Sequence, residues 1–512
     1  MRWPLLHHAL REMRDIRINL NFLALFAILT GTFASGAVCD QSAAINAKAC
    51  YGAKGDLREM NGCSMKEGSK AVTCSANPFA AGDVGKSLYV QSAGGAGRSL
   101  ISTITSFVSG SEVEASSVAL SSVSNISVAW GTDDTAPLQS AYRALVRNGG
   151  ALYIPAGRYL HHGLNWTGNN HRIYGDAYGG TELLALAVTN PGKVNGSAQS
   201  VGIDLSGSGY NQVNDLVFWG GRAWLPDLAP SVNVLAGRSG PSGNDFAINH
   251  IFESDFFITY GAYNVVLYGY EQSDFHNSHF ESGGSVNNGT LYMSAANTPG
   301  FVSPYVNLVA PIASMTKVNI SGGRTAFAGP GKLIVLDEGA SASDYNISIR
   351  DAFVLLGAPG SVFLSDTGAS TGIGLRHIVL DAINIEMVPS CGDCRSVYLK
   401  APAWNWSIRN VQFYGPATGL TVSPYMFAGG FLDGSVMIDS TGQGADTRIL
   451  NSMRLRVRGQ IFISASSNRR LIAWITATLA QYKGAVSACS PTVPVPLKGA
   501  VRLVPSTATP PA

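Results

Sequence analysis

The 512-residue chain is long enough for one large domain with appendages or for two or three of ordinary size. Its 35 basic and 33 acidic side chains nearly cancel, to a net charge of +2, so no basic field is available to hold nucleic acid. Only 13% of residues are charged while 46% are hydrophobic, which excludes a disordered chain, and 58 glycines favour many short strands joined by turns over helical bundles.

In chain order, Arg14 and Arg17 precede the apolar run from Asn21 to Leu29, and Ser35-Gly36-Ala37 offers the small residues of a signal-peptidase site. Residues 1–37 read as a secretory signal, with Met13 as an alternative start. An uncleaved anchor is the other reading, but the run is short for a bilayer span, and no later segment is apolar enough to cross one. The mature chain is therefore expected to be secreted or periplasmic and free of the membrane.

Seven cysteines follow, at 39, 50, 63, 74, 391, 394 and 489. The first four cluster in residues 38–130 and predict two disulfides, with connectivity open, around a β-rich insert. Cys391 and Cys394 lack the second pair of a zinc ribbon and predict a loop-closing disulfide; no metal and no cofactor are expected.

Beyond Cys50-Tyr-Gly-Ala-Lys-Gly-Asp56 lies a stretch rich in Ser, Gly and Val with no helical period. The segment 131–150 carries helix punctuation: Thr132 or Asp133 to accept the first free amides, Pro137 early, Gly149 at the end. Leu138, Tyr142 and Leu145 or Val146 share one face of that helix. Ala151 to Tyr159 reads as strand, turn and strand.

Three of these segments, Gly-Ala-Lys-Gly-Asp, Gly-Thr-Asp-Asp-Thr with its helix, and Leu-Tyr-Ile-Pro-Ala-Gly-Arg-Tyr, resemble the N-terminal signature of the pectate lyase superfamily, whose members include polygalacturonase-like hydrolases and tailspike-type depolymerases. The match covers residues 50 to 160, and the insert around Ala81-Gly-Asp-Val-Gly-Lys-Ser87 resembles one in tailspike-type members. The resemblance implies an all-β fold, a right-handed parallel β-helix (solenoid) whose open end is covered by the helix, with Asp133 and Asp134 as capping residues. It implies a polysaccharide substrate, and it makes a homotrimer conceivable without supporting one. The family's Asn-Thr-Asp, Gly-His-Gly and Arg-Ile-Lys motifs are missing, as is the arginine-centred motif of calcium-dependent pectate lyases, so neither pectin nor calcium is implied.

A six-residue pattern of apolar, bend and inward positions recurs independently of that resemblance. It starts at Val213, Phe275, Ile349, Leu375 and Ile408, and more weakly at Ile248 and Ile320. Irregular spacing of this kind fits coils with loops of varying length, extending from 131 to about 450 before a C-terminal cap and Pro-rich tail over 451–512. A β-sandwich would also show short alternating strands.

Each bend is followed by a second strand. Aligning Val265-Val-Leu-Tyr268, Leu291-Tyr-Met-Ser294, Ile334-Val-Leu-Asp337, Val362-Phe-Leu-Ser365 and Val397-Tyr-Leu-Lys400 places Tyr268, Tyr292, Asp337, Phe363, Ser365, Tyr398 and Lys400 on an outer face, with Glu338 and Asp366 just beyond. Tyr268, Tyr292 and Tyr398 suit the C–H faces of sugars. Carboxylates one coil apart, about 4.8 Å, approach the separation of a glycosidase pair. Asp337 and Asp366 are the leading catalytic pair, with Glu338 as a substitute. Lys400 is expected to bind an acidic group or, in a lyase, to abstract a proton.

A second cluster competes. His279 and Glu281, two apart on one strand, share a face and can form an acid/base dyad, with Arg324 on the next coil and Asp255, Glu271, Asp274 and His276 close in sequence. Glu253 falls in an inward slot. The expected function is hydrolysis of glycosidic bonds by an exported enzyme. The alternatives are a polysaccharide lyase and a non-catalytic glycan-binding or surface-structural protein.

Overall fold

The computed structural model describes Cys39, most of the chain from Ala44 to Asp366, and short strands between 375 and 463. The expected signal segment, Glu338, Cys391, Cys394, Lys400 and the Pro-rich tail lie outside the described residues. No helix among the described residues is long and apolar enough to cross a membrane.

The chain begins in one structure, leaves it, and returns. Strand β1 (Ala44–Asn46) pairs in parallel with β8 (Ala151–Tyr153), more than a hundred residues later. Helix α1 (Ala47–Tyr51) follows at once, because the Asn46 side chain accepts the Lys48 and Ala49 amides at 3.0 and 2.9 Å and Gly52, at φ 75°, ends it.

Strands β2 (Arg58–Met65), β3 (Ala71–Cys74), β4 (Ser87–Val90), β5 (Leu100–Ser109), β6 (Glu112–Ala115) and β7 (Val123–Gly131) then close into a barrel in the order β2-β3-β6-β5-β4-β7. The β-rich insert is thus a closed antiparallel barrel with no free edge. Alternation along β5 sends Leu100, Ser102 and Ile104 inward, and Trp130 packs on Phe79 at 4.9 Å in the barrel core. Cys63 and Cys74 face each other across β2 and β3 and form a disulfide; Cys39 and Cys50 are disulfide-bonded as well.

Helix α2 (Thr135–Asn148) buries Leu138, Ala141, Tyr142, Ala144 and Leu145 in the main core. The two aspartates before it divide their work. Asp133 accepts the Thr135 amide at 2.9 Å, as a cap should. Asp134 instead turns away from the helix, is fully buried, and accepts the Lys54 and Gly55 amides, and burial pushes its carboxyl up to about 6.

From β8 onward the chain builds three parallel walls. Wall A starts with β8, wall B with β9 (Gly157–His161) and wall C with β10 (Leu164–Asn165), and each strand pairs with its counterpart one circuit later. Alternation turns one column of each strand inward. In wall A, Phe252 stacks on Phe275 at 4.8 Å; in wall B, Phe218, Phe257 and Phe280 stack at 5.1 and 5.2 Å. Each fully buried phenyl contributes roughly 2–3 kcal/mol by burial, and each ring pair about 1 more.

Between walls A and B the chain bends through one left-handed residue per coil: Asp215, Ser254, Asn277, Asp351 and Ala382, with φ between 50° and 59°. Asp and Asn tolerate this conformation best. Gly322 takes the same place at φ 122°, where a Cβ would lie 2.3 Å from Asn277 Oδ1. Two starts of the six-residue pattern are corrected by the register: the inward residues are Phe252, not Ile248, and Leu380, not Leu375. His250 itself points into the core, which an apolar template overlooks, and Ala382 bends without being a turn former. The same shift moves Glu253 out of the core to an exposed position.

Candidate functional site

Wall C does not present the open groove that its alternation suggests. The register stacks Leu235, Val266, Tyr292, Val335, Ser365 and Tyr398 in one outward column. Leu235, Val266, Val335 and Ser365 are at most 4% exposed, so this column is covered. Phe363 is part of the main core, not the outer face. Strand 362–366 is also set two residues from the sequence alignment, because Val362 pairs with Lys332 and Leu364 with Ile334. Three consecutive apolar residues at 362–364 satisfy either setting.

As a result Asp366 pairs with Leu336, whereas Asp337 pairs with Ser294. The two aspartates do not occupy equivalent backbone positions on neighbouring coils. Asp337, Asp366, Tyr268, Tyr292 and Tyr398 are described in their backbone alone, with Tyr268 in the column of Ser294 and Asp337.

Wall B differs. Its outward columns run Arg158, Glu182, Val217, Phe256, His279 and, one residue pair along, Leu160, Leu184, Trp219, Ile258, Glu281. His279 Nε2 lies 3.3 Å from Glu281 Oε2, and the side chains are 24% and 44% exposed. The hydrogen bond from His279 holds the Glu281 carboxyl below the usual range despite partial burial. Phe256, an exposed phenyl one coil earlier, sits 5.3 Å from the His279 ring. Asn264 donates to the Glu281 carbonyl at 2.8 Å and to the Phe257 carbonyl, tying this strand to the turn into wall C.

The backbone of Arg324 falls outside the two columns of the dyad. It lies between Ser321 and Thr325, where ladder pairing is interrupted, and the residues that stack on His279 and Glu281 are Ala326 and Ala328. The other acids separate as well. Asp274 accepts from Asn319 at 2.6 Å, His276 bonds Ser321 and Glu253 accepts from Asn214, all on wall A. Asp255 is fully buried at the bend, and burial drives its carboxyl well above the ordinary range; Glu271 is described in its backbone only.

Six residues that sequence reasoning missed complete the wall. Arg222 donates through Nε to Glu59 of β2 at 2.7 Å, and its guanidinium lies 4.0 Å from the Trp219 ring. Glu59 also receives Arg158 at 2.8 Å, and Arg158 reaches Glu182 at 3.1 Å. Burial pushes the Glu59 carboxyl up, but the two guanidiniums outweigh it and leave it below its usual value. Trp219 and Tyr260 have ring planes within 5°, centroids 6.5 Å apart. Burial and the Glu281 charge raise the Tyr260 phenol. Alternation after the inward Phe218 already sends Trp219 outward; nothing in the sequence signals that β2 docks against it.

The wall therefore offers aromatic surface, an ionised carboxylate beside an imidazole, and a fixed guanidinium. Among the described residues no group of three or more His, Cys, Asp or Glu is arranged to hold a metal ion.

No protein-family model and no curated protein matches the sequence. Similar solved structures include the tailspike protein of E. coli bacteriophage HK620 in complex with a pentasaccharide, at 12% identity and a TM-score of 0.38, covering 66% of this chain and 74% of that one. The Agl-KA catalytic domain is similar at 11% identity and a TM-score of 0.31, covering 80% and 87%. The catalytic unit of the GH87 α-1,3-glucanase of Streptomyces thermodiastaticus is similar at 10% identity and a TM-score of 0.26, covering 80% and 91%.

Proposed function

We propose that the protein is an exported right-handed parallel β-helix that binds a polysaccharide along wall B and hydrolyses its glycosidic bonds. The observation that carries this reading is the His279–Glu281 contact at 3.3 Å beside Phe256, on the wall that also carries Trp219 and Tyr260. Aromatic side chains suit the C–H faces of sugars, and charged groups suit their hydroxyls. Glu281, held ionised, is fitted to take a proton from water as its oxygen attacks the anomeric carbon. His279, when protonated, is the neighbouring group able to return a proton to the departing glycosidic oxygen. Asp337 and Asp366 of wall C, together with Glu338 and Lys400, are the competing set.

Incubation with a panel of bacterial surface and plant polysaccharides separates these assignments. Hydrolysis releases reducing ends without ultraviolet absorbance, whereas β-elimination leaves an absorbing unsaturated uronate. Glu281→Gln is expected to lower turnover at least about a hundredfold, with Asp337→Asn and Asp366→Asn close to wild type. The reverse order of effects moves the chemistry to wall C. Glycan binding without either product identifies a non-catalytic protein.

A further inference from the structure

A cavity of about 380 Å³ lies away from wall B, between α2 and the chain just after β10. Its helical side is a single stripe that includes Tyr142, Arg143, Val146 and Arg147, and its far side is Asn165 and Thr167. The volume falls in the range of small-molecule sites.

The far side is held rigid by the helix. Gln139 donates to the Asn165 carbonyl at 2.7 Å and accepts its amide at 2.8 Å, acting as one more strand partner for β10. Tyr142, buried, accepts the Gly168 amide at 2.7 Å. Gly168 backs the cavity so closely that a Cβ would stand 2.5 Å from His171 Nε2 and 2.8 Å from Val146 Cγ2. The backbone on this side of the pocket, which opens to solvent, is thus held in place by the helix.

Its charge is uncompensated. Arg143 and Arg147 stand one turn apart, a spacing at which like charges repel, and α2 contains no acidic residue. Neither has an ion pair among the described residues. The helix dipole favours a cation in the last turn, at Arg147, but gives no reason for a second one at Arg143. Between them Val146 is 48% exposed, an apolar patch framed by two guanidiniums. Across the gap the side chains of Thr167 and Asn165 are exposed and make no hydrogen bond among the described residues.

We infer that this cavity binds an acidic sugar residue, a pyranose carrying a carboxylate. The guanidinium pair receives the carboxylate, Val146 the C–H face, and Asn165 and Thr167 the ring hydroxyls. Neutral sugars lack the first contact and small anions the other two. This site does not depend on wall B being catalytic.

Isothermal titration of the full chain with sodium glucuronate tests the assignment, with glucose and acetate as separate probes. Glucuronate is expected to bind at least about tenfold more tightly than either, and Arg143→Gln/Arg147→Gln to lose at least about tenfold in affinity while melting with wild type. Glu281→Gln should bind glucuronate as wild type does. Equal binding by acetate, no binding by wild type, or binding unchanged in the double variant overturns the inference. Loss in Glu281→Gln alone places the sugar on wall B and overturns it too.

Discussion

Walls B and C obey the same alternation, yet one shows its outward side chains to solvent and the other hides them. Val335 and Ser365 point away from the core of wall C and are 1% and 2% exposed; Phe256 points away from wall B and is 37% exposed. The difference comes from what lies over each wall. On the first coils of wall C the strand Pro191–Val194 folds back on its neighbour, with Gly192 so close that a Cβ would touch Val201 and Leu235, and Val201, Val232, Leu235, Val266 and Val335 form one buried apolar cluster. On wall B the barrel covers the first coils, where Leu160 and Leu184 share a cluster with Leu57, Tyr89 and Ala129, and coverage ends before Phe256. Alternation separates inside from outside. Only the tertiary cover separates outside from exposed, and the candidate site begins where the barrel stops.

The contrast between inside and outside is sharpest at two adjacent residues. Phe257→Ala empties a phenyl stacked between Phe218 and Phe280 and is expected to cost about 3–5 kcal/mol, against under about 1 for Phe256→Ala. Denaturant midpoints of the two variants measure this, and equal costs would mean that the register of wall B is misplaced.

The contrast between hidden and exposed is tested on wall C. Val335→Asp forces a carboxylate into a covered column and should cost about 3 kcal/mol. A thermal melt indistinguishable from wild type would show the column to be open, and the groove expected there would be restored.

These comparisons also mark how far the sequence could be read. The stacked walls were legible because inward Phe218 and Phe280 recur at fixed offsets from a bend, and because the Gly-Thr-Asp-Asp-Thr segment announces the helix. The His279–Glu281 contact was legible for the same reason, two residues on one strand sharing a face. Registers failed where several residues satisfied one template, at Ile248, Leu375 and Val362, by four, five and two residues. The contributions of Glu59 and Arg222 were not legible at all, since 163 residues divide them and no local pattern records a docking contact.

That docking contact gives the next prediction. Arg222 is 7% exposed and bridges Glu59 of the barrel to Trp219 of wall B. Its replacement by Ala is expected to cost about 2 kcal/mol, less than a fully buried pair because Glu59 is partly solvated. Glu59 has a carboxyl depressed in the folded state, so its contribution is present above the ordinary value of 4.5 and fades as pH falls through the lower folded value. The deficit of Arg222→Ala in a melting experiment should therefore shrink on acidification below 4.5. A deficit that stays constant with pH would assign the loss to packing on Trp219 rather than to charge.

Asp255 runs in the opposite direction and with a smaller expected effect. Its carboxyl sits in the core at the bend between walls A and B and accepts the Leu216 amide at 2.9 Å through one oxygen, while the other oxygen has no side-chain partner among the described residues. Burial raises its folded value well above 3.8, so the neutral acid is the form the fold accommodates. Stability from this group is complete below 3.8 and is lost as pH rises toward the folded value. Asn keeps the acceptor and carries no charge at any pH, so Asp255→Asn should raise the melting temperature by the order of 1–2 °C near neutrality and leave it unchanged in acid. A variant less stable than wild type at neutral pH would mean that the charged form has a partner, and that the bend between these walls admits water.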